Sequence, residues 1–114
     1  MKTKPVGLNL LRIIEEMRKF DSQLESQAIA IYFYVGLYGG QEGITMQDIA
    51  EALDLAQSSV SRNVMKLSIT NRYRVSGIDI LEAYEDPIER RRKLVRLTPK
   101  GKRVWKSLQD LVKS

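Results

Sequence analysis

Residues 77–101 read GIDILEAYEDPIERRRKLVRLTPKG, and this stretch decides the fold. Two β-rich runs, at about 78–84 and 93–97, are joined by Asp86-Pro87 and a charged tip, which predicts an antiparallel hairpin. The second run closes on Leu97-Thr98-Pro99. Thr98 suits an N-cap, since its hydroxyl accepts a helical N–H that has no carbonyl partner, and Pro99 falls at the first helical position, where a missing N–H costs nothing. A last helix is therefore expected to run to about Val112, with Val104, Leu108, Leu111 and Val112 as its apolar stripe and Trp105 beside it.

Directly upstream, residues 44–67 read ITMQDIAEALDLAQSSVSRNVMKL. Thr45 with Asp48 three residues on is an N-cap pattern, and Ile49, Ala50, Ala52 and Leu53 make a short helix. Asp54 fills the turn, a place that often goes left-handed; Asp tolerates this better than most side chains. The next helix is expected at about 57–67, with Val60, Val64 and Leu67 inward at i, i+4, i+7. Ala50 is small enough to let the two helices cross closely. Helix, turn and helix at this spacing are the layout of a DNA-reading unit.

The rest of the chain supplies a core. Leu10, Ile13, Ile14, Met17 and Phe20 recur at helical spacing, which predicts an amphipathic first helix over about 9–20. Ser22-Gln23-Leu24-Glu25 has the form of a capping box, so a second helix should run from there to Tyr38 and stop at Gly39-Gly40. Its centre is apolar on nearly every side, as in a helix surrounded by others. Residues 68–76 carry no strong periodicity and read as a loop or as a frayed extension of the preceding helix.

With 114 residues, 43% of them hydrophobic, the chain is long enough for one ordinary core and too short for two, so a single domain over 1–114 is expected. The net charge of +5 is unevenly placed. Residues 60–106 hold 13 basic and 5 acidic side chains, or +8, leaving 6 minus 9, or −3, for the remainder. The excess thus falls on the reading unit, as a footprint for phosphates requires. The chain has no Cys and no His, which argues against zinc fingers, Cys-based redox switches and Ser-His or Cys-His nucleophiles; no metal, no cofactor and no catalysis are expected. Residues 28–38 (AIAIYFYVGLY) form the longest apolar stretch, about half of the ~20 residues a membrane span needs. No signal-peptide core follows Met1-Lys2-Thr3-Lys4-Pro5, so a soluble, cytoplasmic protein with no membrane partner is expected.

The inward stripe of the helix at 57–67 fixes what faces out. At about 100° per residue, Ser58, Ser61, Arg62, Met65 and Lys66 fall roughly 100–240° from Val60. Arg62 has the planar fork that matches guanine O6 and N7 in the major groove, and Ser58 and Ser61 can bond bases or phosphates. Gln57 lies at the helix N-terminus, where free N–H groups favour a phosphate. At the hairpin tip, Glu89, Arg90, Arg91, Arg92 and Lys93 stand together, a cluster that repels itself unless an anion relieves it. Strand alternation would put Arg91 and Lys93 on one side and Arg90 and Arg92 on the other. Arg72 and Arg74 are either further DNA contacts or part of a solvated loop.

These motifs resemble the MarR family of winged-helix transcriptional regulators. The resemblance rests on Asp48-Ile49-Ala50 leading to Leu53, on Gln57-Ser58-Ser59-Val60-Ser61-Arg62, on Asp86-Pro87-x-Glu89-Arg90-Arg91, and on Leu97-Thr98-Pro99-Lys100-Gly101. It covers about residues 22–112. It implies a mainly α fold with a small β-hairpin, a winged helix-turn-helix with flanking N- and C-terminal helices. It also implies a homodimer on a roughly palindromic double-stranded DNA operator, with the recognition helix in the major groove and a wing arginine, aligned with Arg91, in the minor groove. Glu89 stands where the family usually has Asp, the carboxylate that orients that arginine. Residues 68–76 are longer than the usual connection. Family members also carry a further C-terminal helix where this chain stops at Ser114, so dimerisation would fall on the helices within 1–21 and 99–114, and a small-molecule effector is left open.

A monomer is expected to leave much of Leu10, Leu11, Ile14 and Met17 and of Leu108 and Leu111 short of partners, whereas pairing the terminal helices across a two-fold axis would cover them; packing of the same helices within one chain is the alternative. The expected function is a sequence-specific transcriptional regulator, a repressor acting by occlusion. The rival is a winged-helix assembly module that holds protein partners in phage or plasmid replication or segregation. Scattered carboxylates such as Glu15, Glu16 and Glu25 are better explained as helix surfaces and caps than as acid-base groups.

Overall fold

In the computed structural model, residues 3–69 and 77–113 are described. They form α1 (Thr3–Arg18), α2 (Ser26–Tyr38), β1 (Ile44–Thr45), α3 (Met46–Leu53), α4 (Gln57–Lys66), β2 (Leu81–Glu85), β3 (Lys93–Leu97) and α5 (Pro99–Lys113). The three strands make one antiparallel sheet in the order β1-β3-β2. The hairpin register sets Leu81 opposite Leu97, Ala83 opposite Val95 and Glu85 opposite Lys93. This is the mainly helical winged-helix architecture expected, with a third strand added. The rest of the loop, residues 70–76, lies outside the described residues, and Arg72 and Arg74 with it.

β1 carries no sequence signal because it is two residues long and exists only through its pairing, Ile44 with Val95 and Thr45 with Leu94. Gly43 permits that pairing. Its φ is +91°, and a Cβ there would lie 2.6 Å from the Val95 carbonyl oxygen.

α1 begins six residues before the expected Asn9, because Pro5 falls in the first turn, where a helix tolerates it. The capping box before α2 does not form. Glu25 occupies the N-cap position with no side-chain cap bond, while the Asp21 carboxylate takes the Gln23 N–H at 2.9 Å and the chain turns there instead. At the other end Gly39 stays right-handed (φ −73°) and Gly40 (φ +56°) supplies the left-handed residue.

One core joins all the elements. Ala28, Ile31, Tyr32 and Val35 of α2 pack with Ile49, Ala50, Val60, Val64, Leu67, Leu81, Val95 and Leu97. Met17 of α1 and Leu108 of α5 are buried in this same core, at 0% and 4% exposure. The expectation that both need a second chain is therefore corrected, since α1 and α5 pack against each other within one protomer. Tyr32 is the largest fully buried side chain. Its hydroxyl donates to the Gly101 carbonyl at 2.7 Å, its ring meets Trp105 edge-on at 5.9 Å, and burial raises its phenol above the ordinary value. Val112 is exposed, so the stripe of α5 ends at Leu111.

Candidate nucleic-acid interface

α3 and α4 are set by local chemistry. Thr45 Oγ1 accepts the Asp48 N–H at 3.0 Å, capping α3 as its sequence predicts. Asp54 adopts φ 53° and ψ 50°, the left-handed turn, and the Leu55 N–H returns to the Ala50 carbonyl at 2.9 Å. α4 then buries Val60, Val64 and Leu67 as its spacing dictates, and also Asn63. The Asn63 amide donates to the Ser59 carbonyl at 2.9 Å and to Gln27 Oε1 at 3.4 Å, tying α4 to α2. Sequence reasoning passed over Asn63; its place just before Val64 on the inward stripe was the signal.

The opposite face of α4 presents Gln57, Ser58, Ser61 and Arg62 to solvent, with Met65 also exposed. Lys66 lies at the edge of this face, half-buried, with Nζ 3.5 Å from the Asp21 carboxylate. Its charge is already partly answered within the chain.

The wing is held by Asp86, which is 6% exposed. Its Oδ1 accepts the Ile88 N–H at 2.9 Å, and its Oδ2 pairs with the Arg92 guanidinium at 2.9 Å. The Asp86 N–H bonds the Arg92 carbonyl and the Arg92 N–H bonds the Glu89 carbonyl, both at 3.0 Å, closing the tip. The Ile88 N–H holds the Asp86 carboxyl below the usual carboxylate range; the Glu89 N–H and Arg92 add to this, and burial opposes it. The carboxylate that orients a wing arginine is thus Asp86, and the arginine it takes is Arg92; Glu89 forms no ion pair among the described residues. Arg90, Arg91 and Lys93 likewise enter no ion pair among the described residues, which leaves the tip positive.

The geometry joins part of the two sets, with Ser58, Arg62 and Arg90 lining neither of the two clefts between them. Gln57 lines a cleft of ≈ 270 Å³ with Arg91, Arg92, Lys93 and the N-terminus of α3. A larger groove of ≈ 590 Å³ runs between α4 and the hairpin, with Ser61 and Met65 on one wall and Ala83 and Lys93 on the other. Arg91, Arg92 and Lys93 share one cleft, so the alternation expected across Arg90 to Lys93 does not hold: residues 90–92 form a turn, and the strand begins only at Lys93. Farther along the hairpin, Glu82 bonds Arg96 at 2.8 Å and holds its guanidinium more firmly protonated. Arg96 also stacks over the Tyr84 ring at 4.1 Å, and the Tyr84 hydroxyl donates to the Glu42 carbonyl. These side chains brace the sheet.

A helix-turn-helix whose second helix shares a cleft with a basic, sheet-borne wing defines the winged-helix class, and its embedding between α1 and α5 is that of MarR-type regulators. Solved structures of that type match at 18–23% identity, which bears on the fold. MepR of Staphylococcus aureus, a transcription regulator of the multidrug efflux pump MepA, superposes with a TM-score of 0.65 at 21% identity over 94% of this chain and 70% of its own. Its complex with DNA gives 0.63 at 23%, over 91% and 82%. PcaV of Streptomyces coelicolor, solved with its natural ligand, gives 0.61 at 21%, over 93% and 67%, and a MarR-family regulator of Rhodococcus sp. gives 0.61 at 18%, over 96% and 64%. No protein-family profile matches the chain, and no curated protein sequence matches it. The described residues contain no cluster of potential metal ligands and no helix long and apolar enough to cross a membrane.

Proposed function

We propose that this chain binds specific duplex DNA and regulates transcription as a homodimer, occluding a palindromic operator as a repressor. One observation carries the reading: Gln57 at the start of α4 shares a cleft with Arg91 and Lys93 of the wing, and Ser61 and Met65 share the adjoining groove with Lys93. A duplex laid across α4 and the wing would meet the exposed Arg62, Ser58 and Ser61 at base edges and Arg91 with Arg90 and Lys93 at the flanking minor groove. Gln57 lies where the helix N-terminus favours a phosphate. MepR, of like fold, has been solved on DNA, which supports duplex DNA as the partner.

The dimer rests on α1. Leu10 and Leu11 are 60% and 56% exposed, with Ile14 beside them, and Val112 is exposed near the end of α5. Such a stripe on a surface helix is what a second copy covers. Two copies would set their recognition helices about one DNA turn apart, fitting half-sites ~10–10.5 base pairs apart. The ligand-bound PcaV structure keeps a small-molecule effector within this reading.

The test is duplex binding against salt. A dimer neutralising on the order of 6–10 phosphates should give a log-log slope of about −5 to −9, and selection from a random pool should return a palindrome. A slope near zero would remove the proposal and favour a protein-holding module.

A further inference from the structure

The wing tip carries an anomaly that charge does not account for. Ile88 is 94% exposed, the highest exposure among the large apolar side chains of the described residues, and it sits between Pro87 and the run Glu89 to Lys93. A solvated tip is better served by Asn, Ser or Gly, so an isoleucine there contributes nothing to the fold it stands on. Its backbone is nonetheless firmly placed. Pro87 fixes the preceding φ, the Asp86 carboxylate holds the Ile88 N–H at 2.9 Å, and the same carboxylate anchors Arg92. The tip thus presents one branched apolar group on a braced turn, flanked by arginines with no ion-pair partner among the described residues.

Resting on the DNA-binding reading above, we propose that Ile88 is an apolar wedge that enters the minor groove beside the operator core and partly unstacks one base step. Charge complementarity identifies the occupant. Arg90, Arg91 and Lys93 draw the tip to a surface of dense negative charge, whereas an apolar protein groove would have to desolvate all three. Apolar wedges of this kind separate base steps from the minor-groove side, and pyrimidine–purine steps yield most readily. The wedge adds a preference for deformable flanks at a position that makes no hydrogen bond to a base. Being preformed by Asp86, it is not ordered at the moment of binding.

The experiment uses the full chain and a duplex selected from a random pool, with 2-aminopurine placed in turn at each flanking step and at the centre. The wild-type protein should raise fluorescence at one flanking step in each half-site and not at the centre. Ile88→Ala should abolish the rise and weaken binding about three- to tenfold, part of the transfer free energy of one isoleucine, while leaving the salt slope unchanged. Ile88→Leu should restore both, whereas Arg91→Ala should lower the slope by about one. If Ile88→Ala binds and unstacks as the wild type does, or if the wild type produces no rise while binding with a steep salt slope, the wedge is wrong and the DNA-binding reading stands. If the wild type shows no salt-dependent duplex binding, both are wrong. Because the Ile88 side chain is 94% exposed and both variants keep its N–H, neither Ile88→Ala nor Ile88→Leu should disturb folding.

Discussion

Gly101→Ala should be among the most damaging one-carbon additions in this protein. A Cβ at Gly101 would stand 2.1 Å from the Ile80 carbonyl oxygen and 2.9 Å from its carbon. That neighbour is backbone and cannot rotate away, so the first turn of α5 must retreat by roughly 1 Å to restore ordinary contact. Retreat strains two bonds. Gly101 N–H caps onto Thr98 Oγ1 at 2.9 Å, and the Gly101 carbonyl accepts the buried Tyr32 hydroxyl at 2.7 Å. Losing the cap costs about 1 kcal/mol, weakening the buried bond about 1 kcal/mol, and the overpacking itself ~1–3 kcal/mol. The helix propensity of Ala returns about 1 kcal/mol. The net is a loss of roughly 2–4 kcal/mol, a large share of the ~5–15 kcal/mol typical of a domain. The one Trp, Trp105, packs on Tyr32 and reports the transition. Urea unfolding followed by its emission should shift its midpoint down by roughly 1–2 M at equal protomer concentration. Gly36→Ala is the matched comparison, since its Cβ would meet Trp105 ring atoms at 2.6 Å, a side chain that can move. It should cost less, ~0–2 kcal/mol, and alter the Trp emission of the native state. A Gly101→Ala midpoint within 0.3 M of wild type (an order-of-magnitude threshold of about 0.5 kcal/mol) would refute the close approach of α5 to Ile80.

Three further outcomes are expected. Leu10→Glu with Leu11→Glu should leave the fold intact and yield a monomer by sedimentation velocity; a dimer that persists would move the interface off α1. Asp86 has its carboxyl lowered by the Ile88 N–H first, then by Glu89 and Arg92, so its contribution to stability is fully present above the unfolded value of about 3.9 and is lost as pH falls through the lower folded value. Wild type should therefore exceed Asp86→Asn in stability at pH 7 and lose that advantage under acid; a gap that stays constant down to pH 2.5 (roughly one unit or more below the unfolded carboxyl value) would show that the charge of Asp86 does not matter. Arg62→Ala should relax preference at one position per half-site by ~1–3 kcal/mol, while Arg91→Ala should weaken binding mainly at A·T-rich flanks. Equal fractional losses on a selected operator, a flank-swapped operator and random duplex would deny both roles.

What the sequence revealed was local. Thr45 and Thr98 announce their helices because each cap is a hydroxyl reaching an N–H three residues away. The stripe of Val60, Val64 and Leu67 fixes the outward face of α4 without reference to any other element, which is why Gln57, Ser58, Ser61 and Arg62 emerge where expected. What stayed hidden depends on distant partners. β1 has only two residues and is defined by β3, fifty residues on. Ser22 and Glu25 carry the letters of a capping box, yet Asp21 bends the chain first. Periodicity marks Met17 and Leu108 as apolar faces and is silent on which surface covers them; they turn out to cover each other's core from within one chain. The wing arginine with a carboxylate partner is Arg92 because residues 86–92 fold back on Asp86, a closure that strand alternation cannot foresee.

The placement of α4 and the wing converges on one residue. The Ile80 N–H bonds the Leu67 carbonyl at the end of α4, at 2.8 Å, and the Ile80 carbonyl accepts the Thr98 N–H at the start of α5, at 3.3 Å. Leu81, next along, opens β2 and bonds the same Leu67 carbonyl at 3.1 Å. α4, the wing and α5 are thus tied through backbone at a single fully buried position. Backbone bonds in a dry core resist sliding more than side-chain packing alone, because an unmade bond there has no water to replace it. The placement of α4 against the base of the hairpin is therefore fixed within the chain, and on the proposed reading a duplex would meet it preformed. On that reading, substitutions on the outward face of α4 should retune which bases are read without moving the wing. A change at Gly101, which presses on Ile80, should shift helix and wing relative to each other and weaken every operator alike.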